Sequence, residues 1–315
     1  MFNKNKSMIE TDKSKLDNGI IKDLFIILAI YFGATFLSGV ILGILYPIFA
    51  NPAFGDMAIE EIIEGNNDIF LIISLFFTLI STFALYILAK NYYKRSKLSL
   101  GLRKEKSLRD YLFGAFLGII SVGIIVLFLY LSGNLEINLS MGQISTPIFI
   151  LYFIGWIFQG FNEELLCRSI LVNYFASKKS IGFAFIFSSA IFSLLHIFND
   201  GFSILPCINI FLIRLVFSLC FYAFDNIAMS SGFHSFWNMA QANIFGISVS
   251  GVYKTKNTIF YSNNIGKDII NGGEFGIEGG LITTPLLLIL VIIFYFFAKK
   301  KSDSFNNLYG EDNVY

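Results

Sequence analysis

Histidine is nearly absent from this chain: two occur in 315 residues, His196 and His234. Cysteine is scarce too, and Cys167, Cys207 and Cys220 all fall within apolar stretches. An odd set at no metal-type spacing argues against a disulfide framework and against a cysteine-based zinc site. Charged residues make up only 14% of the chain and the formal net charge is +1. That balance offers no basic surface of the kind nucleic acids require, so no nucleic-acid partner is expected. No HExxH sequence occurs, so the helical zinc-protease motif is missing. No internal repeat shows at solenoid periods. The chain opens with a polar stretch of about twenty residues, the wrong order for a cleavable signal peptide.

What the chain has in quantity is hydrocarbon. It is 55% hydrophobic and carries 37 Phe. Apolar stretches lie near residues 24–45, 69–88, 111–131, 148–176, 181–198, 204–224, 226–245 and 281–298. Runs of this length read as membrane helices, and backbone groups in lipid must find partners within the chain. The expected fold is all-α, a polytopic membrane bundle of about eight transmembrane helices. Residues 1–22 read as a disordered cytoplasmic polar tail, 23–301 as the membrane domain, and 302–315 as a second cytoplasmic tail. Residues 98–103 read as a short amphipathic piece for the bilayer interface.

The basic residues are placed unevenly. Of the 21 Lys and Arg outside the spans, 18 lie in 1–22, 90–110, 177–180 and 299–301, which strict alternation puts on one side. That side is expected to be cytoplasmic. The expected location is therefore the cell membrane, multi-pass, with both the N- and C-termini cytoplasmic.

Against this apolar background the polar residues inside the spans stand out. Glu163, Glu164 and Arg168 sit in the fourth stretch, where charge costs several kcal/mol, about 3 at a helix centre, unless paired or wetted. Glu164 and Arg168 are four apart on one face, which reads as a pair that satisfies itself and supports the helix. Glu163 points about 100° away and lacks such a local partner, so it is the freer carboxylate and the candidate general base. The midpoint between Glu163 and His196 falls in the 177–180 turn. Two antiparallel helices joined there would set both residues about 22–24 Å from the turn, at equal height.

His234 and Asn238 are again four apart, suited to holding an oxyanion or, as two ligands, a metal. Each histidine alone could be an ordinary hydrogen-bonded packing residue. The joint placement of both in spans that can face the glutamates points to one site. Cys167 reads as inert packing, Arg214 as a support for folding that pairs with Glu163, Glu164 or Asp225. Gln159 and Asn162 could order water, and Gly160 permits close helix approach. One constraint is visible: the heights of Glu163 and His234 agree only if the fourth and fifth helices tilt or project beyond the bilayer.

Glu163-Glu164-Leu165-Leu166-Cys167-Arg168 resembles the EExxxR motif of the CPBP family, the CAAX proteases and bacteriocin-processing (Abi) enzymes. Phe192 to His196 resembles the family's FxxxH, and His234 to Asn238 its HxxxN, in the family's order. The surrounding core would span about 110–246. One departure is Ser169, where a glycine often follows the arginine. The resemblance implies an intramembrane endopeptidase, CAAX prenyl protease-like, acting on a membrane-associated peptide or protein in the lipid bilayer. Glu163 would activate water with His196 assisting, His234 and Asn238 would stabilise the oxyanion, and Glu164 and Arg168 would orient the helix. The expectation is that no cofactor is used. The alternative is zinc on Glu163, His196 and His234, which would remove the best base.

Two other readings remain open on the sequence. One is a non-catalytic membrane protein of the same fold that regulates a partner or confers bacteriocin self-immunity. The other is a transporter with a Glu/His proton relay.

Overall fold

The computed structural model describes residues 2–16, 18–49, 67–140, 144–251 and 255–309. Most of the acidic segment 51–68 and the last residues, 310–315, lie outside them. The fold is an all-α membrane bundle with almost no sheet, as the hydropathy pattern anticipates. A short helix α1 (Lys6–Asp12) precedes α2 (Ile20–Phe49) and α3 (Asn67–Ile87), which continues in a wider turn to Tyr92. Next come α4 (Ser107–Leu131) and the strand β1 (Leu135–Leu139). Helix α5 (Thr146–Glu164) passes through a π-helical stretch, Leu165–Val172, into α6 (Asn173–Lys178), so the fourth apolar stretch is one unbroken rod. After it come α7 (Ile181–Leu194), α8 (Ile204–Phe224) and α9 (Ile227–Met239), the last extended to Ile244. A long loop holds β2 (Phe260–Asn264) and α10 (Asp268–Asn271), and α11 (Thr283–Tyr309) closes the chain.

Among the described residues five helices are long and apolar enough to cross a membrane: those at Ile20–Leu45, Asp68–Tyr92, Ser107–Leu131, Ile204–Phe224 and Thr283–Ser304. The α5–α6 rod from Gly155 to Ala176, and α9, pack within this group. Every residue of Leu165–Val172 is buried, and so is nearly all of α9. Helices that meet protein instead of lipid can carry polar side chains, provided those find partners. Close packing makes this possible. A Cβ on Gly114 or Gly118 of α4 would overlap the backbone of Met229, Phe233 or Trp237, the small-residue approach common between membrane helices.

The connections sort cleanly by end. At one end Asn3 bonds Ser302, Ser7 N–H donates to Asp225, Lys178 meets the Leu16 carbonyl, and Ile227 N–H donates to Gly101. At the other, β1 pairs antiparallel with β2 (Leu135 opposite Asn264), Tyr152 bonds Asp68, and Asn209 bonds the Glu278 and Gly280 carbonyls. This is the alternation the lysine pattern requires. All four lysine- and arginine-rich segments share the end that carries α1 and the last turns of α11.

Several expectations are corrected. The first residues are not a disordered tail. Asn5 caps α1 by accepting from Met8 N–H and donates to the Tyr222 carbonyl, and Met8 is fully buried. Residues 98–103 do not lie along the interface: Leu100 and Ser99 are buried, and Arg95 donates to the Ser169 carbonyl and to Ser99. Residues 302–309 continue α11 and are not a separate tail. Helix α7 stops at Leu194, so His196 lies in the turn that follows it. Arg95, Ser99 and Leu100 wrap the rod at Ser169 and Asn173, while Gly101 meets the first residue of α9, so the rod extends beyond α9 at this end.

Candidate active site

The site forms where α5 crosses α9 and α8. A Cβ on Gly160 would overlap Ser235, so the two helices touch one turn from Glu163 and His234. Arg168 Nε lies 3.1 Å from Glu164 Oε2, the same-face pair expected from the spacing. Glu164 is completely buried, and one partner does not satisfy a buried carboxylate. Its Oε1 also meets His234 Nδ1 at 3.1 Å and Arg214 NH1 at 3.4 Å.

Glu163 is not without a local partner, contrary to expectation. Gln159, one turn back, donates Nε2–H to its Oε1 at 2.6 Å. Arg214 NH2 donates to its Oε2 at 3.1 Å, and His234 Nε2 lies 3.3 Å from the same oxygen. The side chain of Glu163 nevertheless keeps 16% exposure, against 0% for Glu164 and 1% for His234. The two glutamates thus differ as the sequence suggested, one structural and one open, but by access and not by lack of partners.

Arg214 is the hub. It touches both glutamates and lies 3.0 Å from His234 Nδ1. Its own backbone carbonyl accepts from Arg168 at 2.8 Å. Its guanidinium lies 3.6 Å from the centroid of Phe192, a cation–π contact that offsets desolvation. His234 stacks on Phe217, with ring centroids 5.3 Å apart. His234 Nδ1 thus faces a carboxylate and a guanidinium at once, and Nε2 faces Glu163 Oε2.

His196 stands apart from this cluster. Its Nδ1 lies 3.0 Å from the Phe192 carbonyl. A carbonyl only accepts, so Nδ1 carries the hydrogen and Nε2 is left as a lone-pair acceptor. Its ring packs on Phe192, 4.7 Å between centroids. Among the described residues, His196 is not a hydrogen-bond partner of Glu163. What joins them is a cavity of about 250 Å³ that both line, together with Gln159, Arg214, Asn238, Trp156 and Asn199. Asn238 donates to Gln159 Oε1 at 2.9 Å, so Asn238, Gln159 and Glu163 form a chain along the wall. His234 lies behind this wall, not on it.

Asn162 faces away from the cavity and donates to Ser81 and Thr82 of α3. Cys167 is buried, its carbonyl accepting from the Ser188 hydroxyl. Asp225 pairs with Arg103 instead of Arg214. The cavity-wall residues Ser74 and Thr78 on α3 were not singled out from the sequence. A hydroxyl in an apolar run gives no signal, since it can bond its own helix, as both do here.

A metal does not fit this arrangement. Among the described residues no group of three or more His, Cys, Asp or Glu is disposed to hold one. The Arg214 guanidinium already lies on oxygens of Glu163 and Glu164 and beside His234. A divalent cation at those atoms would meet a fixed positive charge.

The buried Glu/His/Arg cluster thus opens on a mostly apolar cavity inside an apolar helical bundle. Residues 145–240 match the family model described as type II CAAX prenyl endopeptidase Rce1-like. That stretch contains all three motifs, and over it the chain is similar to the CPBP (CAAX protease and bacteriocin-processing, Abi) peptidases. No curated protein and no solved structure matches it.

Proposed function

We propose that the chain is an intramembrane endopeptidase that hydrolyses a peptide bond of a membrane-associated peptide or protein by water activated at Glu163 and His196. The observation that carries this reading is the shared cavity. Glu163, His196 and Asn238 line one space large enough for a short length of peptide and water, inside a bundle where each of them is otherwise costly.

In this reading Glu163 takes a proton from water and the resulting hydroxide attacks the scissile carbonyl carbon. His196, with Nδ1–H held by Phe192, accepts the second hydrogen of the same water at Nε2 and so orients it, and Glu163 then delivers the proton it took to the leaving amine as the tetrahedral intermediate collapses and the C–N bond breaks. Asn238 Nδ2–H donates to the developing oxyanion, helped by His234 from behind Glu163. Gln159 orients both Glu163 and Asn238. Glu164 and Arg168 anchor the helix and, through His234 and Arg214, set the orientation of Glu163. No step is routed through a metal. The lysine-rich end of the bundle faces the cytoplasm, and the protein resides in the cell membrane.

The test is a comparison of membrane-peptide profiles from cells carrying wild-type and Glu163→Gln protein. Peptides that vanish in the variant, with the protein still inserted and folded, support the reading. Normal cleavage by a purified, folded Glu163→Gln protein overturns it.

A further inference from the structure

The cavity in front of Glu163 is lopsided along the bundle axis. On α3 it is walled by Ser74 and Thr78, in the first half of a helix that starts at Asn67. Its other wall includes Asn199 and Ser250, joined by a 2.6 Å hydrogen bond, in loops at the β1–β2 end. Toward the opposite end the way is filled. Asn162 binds Ser81 and Thr82 just beyond Glu163. Past that level, Leu85, Leu88 and Ala89 are buried. The 95–101 segment then clasps the rod, and α1 lies over it: the Arg95 guanidinium spans Thr11, Ser99 and Ser169.

We infer that the site is entered from the β1–β2 end, the extracytoplasmic side, and that its substrates present the scissile bond from the outer half of the bilayer and not as a cytosolic C-terminal tail. The chemistry rests on the endopeptidase reading above; the direction rests on the cavity and the lysine pattern. The basic segments all lie at the sealed end, and the cavity lies toward the other. Phe198, 95% exposed, and Ile204, 80% exposed, flank the turn that carries His196 and Asn199. Apolar side chains so exposed mark lipid contact beside the mouth, so the entering segment is a membrane-anchored polypeptide reaching sideways from lipid. Water and its proton products exchange on the same side.

The test uses thiol accessibility in cells expressing the full-length protein. Native Cys167 and Cys220 are buried, and Cys207→Ser removes the one that is partly exposed. In that background Ser74→Cys reports the cavity wall and Lys97→Cys the sealed end. A membrane-impermeant maleimide is applied to intact and then to lysed cells. The expected result is that Ser74→Cys labels in intact cells and Lys97→Cys only after lysis. Labelling of Lys97→Cys from outside, or of Ser74→Cys only after lysis, overturns the inference. Should Ser74→Cys fail to accumulate, Asn199→Cys reports the mouth with the same expected and opposing results. The labelling needs no turnover. Repeated in the Glu163→Gln protein it gives the direction of the cavity even if no peptide is ever cleaved, which separates this inference from the proposed chemistry.

Discussion

Arg214 NH2 donates to Glu163 Oε2 at 3.1 Å while the same guanidinium lies on Glu164 Oε1 at 3.4 Å. Two adjacent carboxylates in a helix would repel, and one planar cation between them removes the repulsion and fixes their relative orientation. Lysine can keep the charge but not the fork. Arg214→Lys is expected to retain a folded protein with cleavage lowered about 10-fold or more. Arg214→Met leaves Glu163 without its guanidinium partner and Glu164 with Arg168 as its one arginine, and is expected to cost about 3–5 kcal/mol of stability. Thermal unfolding in detergent, read beside peptide cleavage, checks both. Equal loss of stability in the two variants would show that a positive charge without the guanidinium fork gives no support here.

The adjacent glutamates should separate cleanly on substitution. Glu163 is the open one and Glu164 the enclosed one, bound by Arg168, Arg214 and His234. Glu163→Gln is expected to leave the unfolding temperature close to wild type and to reduce turnover by about 100-fold or more, the usual worth of a general base. Glu164→Gln is expected to lower stability by about 3 kcal/mol or more, because Arg168 and Arg214 then sit buried with half their counter-charge. A Glu164→Gln protein as stable as wild type would remove the anchoring role.

How much of this was legible beforehand depends on whether the relevant distance lies within one helix. Glu164 with Arg168, and His234 with Asn238, are one turn apart, and helical spacing alone pairs them. Hydropathy delivered the bundle, and the lysine pattern delivered which segments share an end. The hub was not legible. Whether Arg214 faces Glu163, Glu164 or Asp225 depends on the rotation of α8 about its axis, which its apolar sequence does not specify. His196 lines the same cavity as Glu163, but the end of α7 at Leu194 turns its Nδ1 to the Phe192 carbonyl. Helix α1 was missed because seven residues are too few to be helical alone. It exists through the Asn5 cap and through bonds to Tyr222 and Asp225, residues more than two hundred positions away.

The position of Arg214 also bears on metal dependence. Its guanidinium lies on the carboxylate oxygens that a zinc ion would need, and protein-bound arginine stays protonated. Cleavage by the purified protein is expected to survive dialysis against a chelator such as 1,10-phenanthroline, with no zinc retained in stoichiometric amount. Activity lost on chelation and restored by zinc alone would mean that Arg214 swings away in the working enzyme.

The contact of Gly160 with Ser235 sets the distance between the helix that carries Glu163 and the one that carries His234 and Asn238. An added methyl at Gly160 would meet the Ser235 hydroxyl and backbone, and overpacking of this kind costs about 1–3 kcal/mol. The displacement has a functional consequence beyond stability. Asn238 reaches Glu163 only through Gln159, by bonds of 2.9 and 2.6 Å, and spreading the helices lengthens that chain first. Gly160→Ala is therefore expected to lower kcat more than it raises KM, since substrate still enters the cavity while Asn238 and Glu163, the proposed oxyanion donor and base, fall out of register. Ser235→Gly, which takes away the hydroxyl that the methyl meets, is expected to recover part of the loss. A Gly160→Ala protein with unchanged kcat would show that the separation of these helices does not set the geometry of the site.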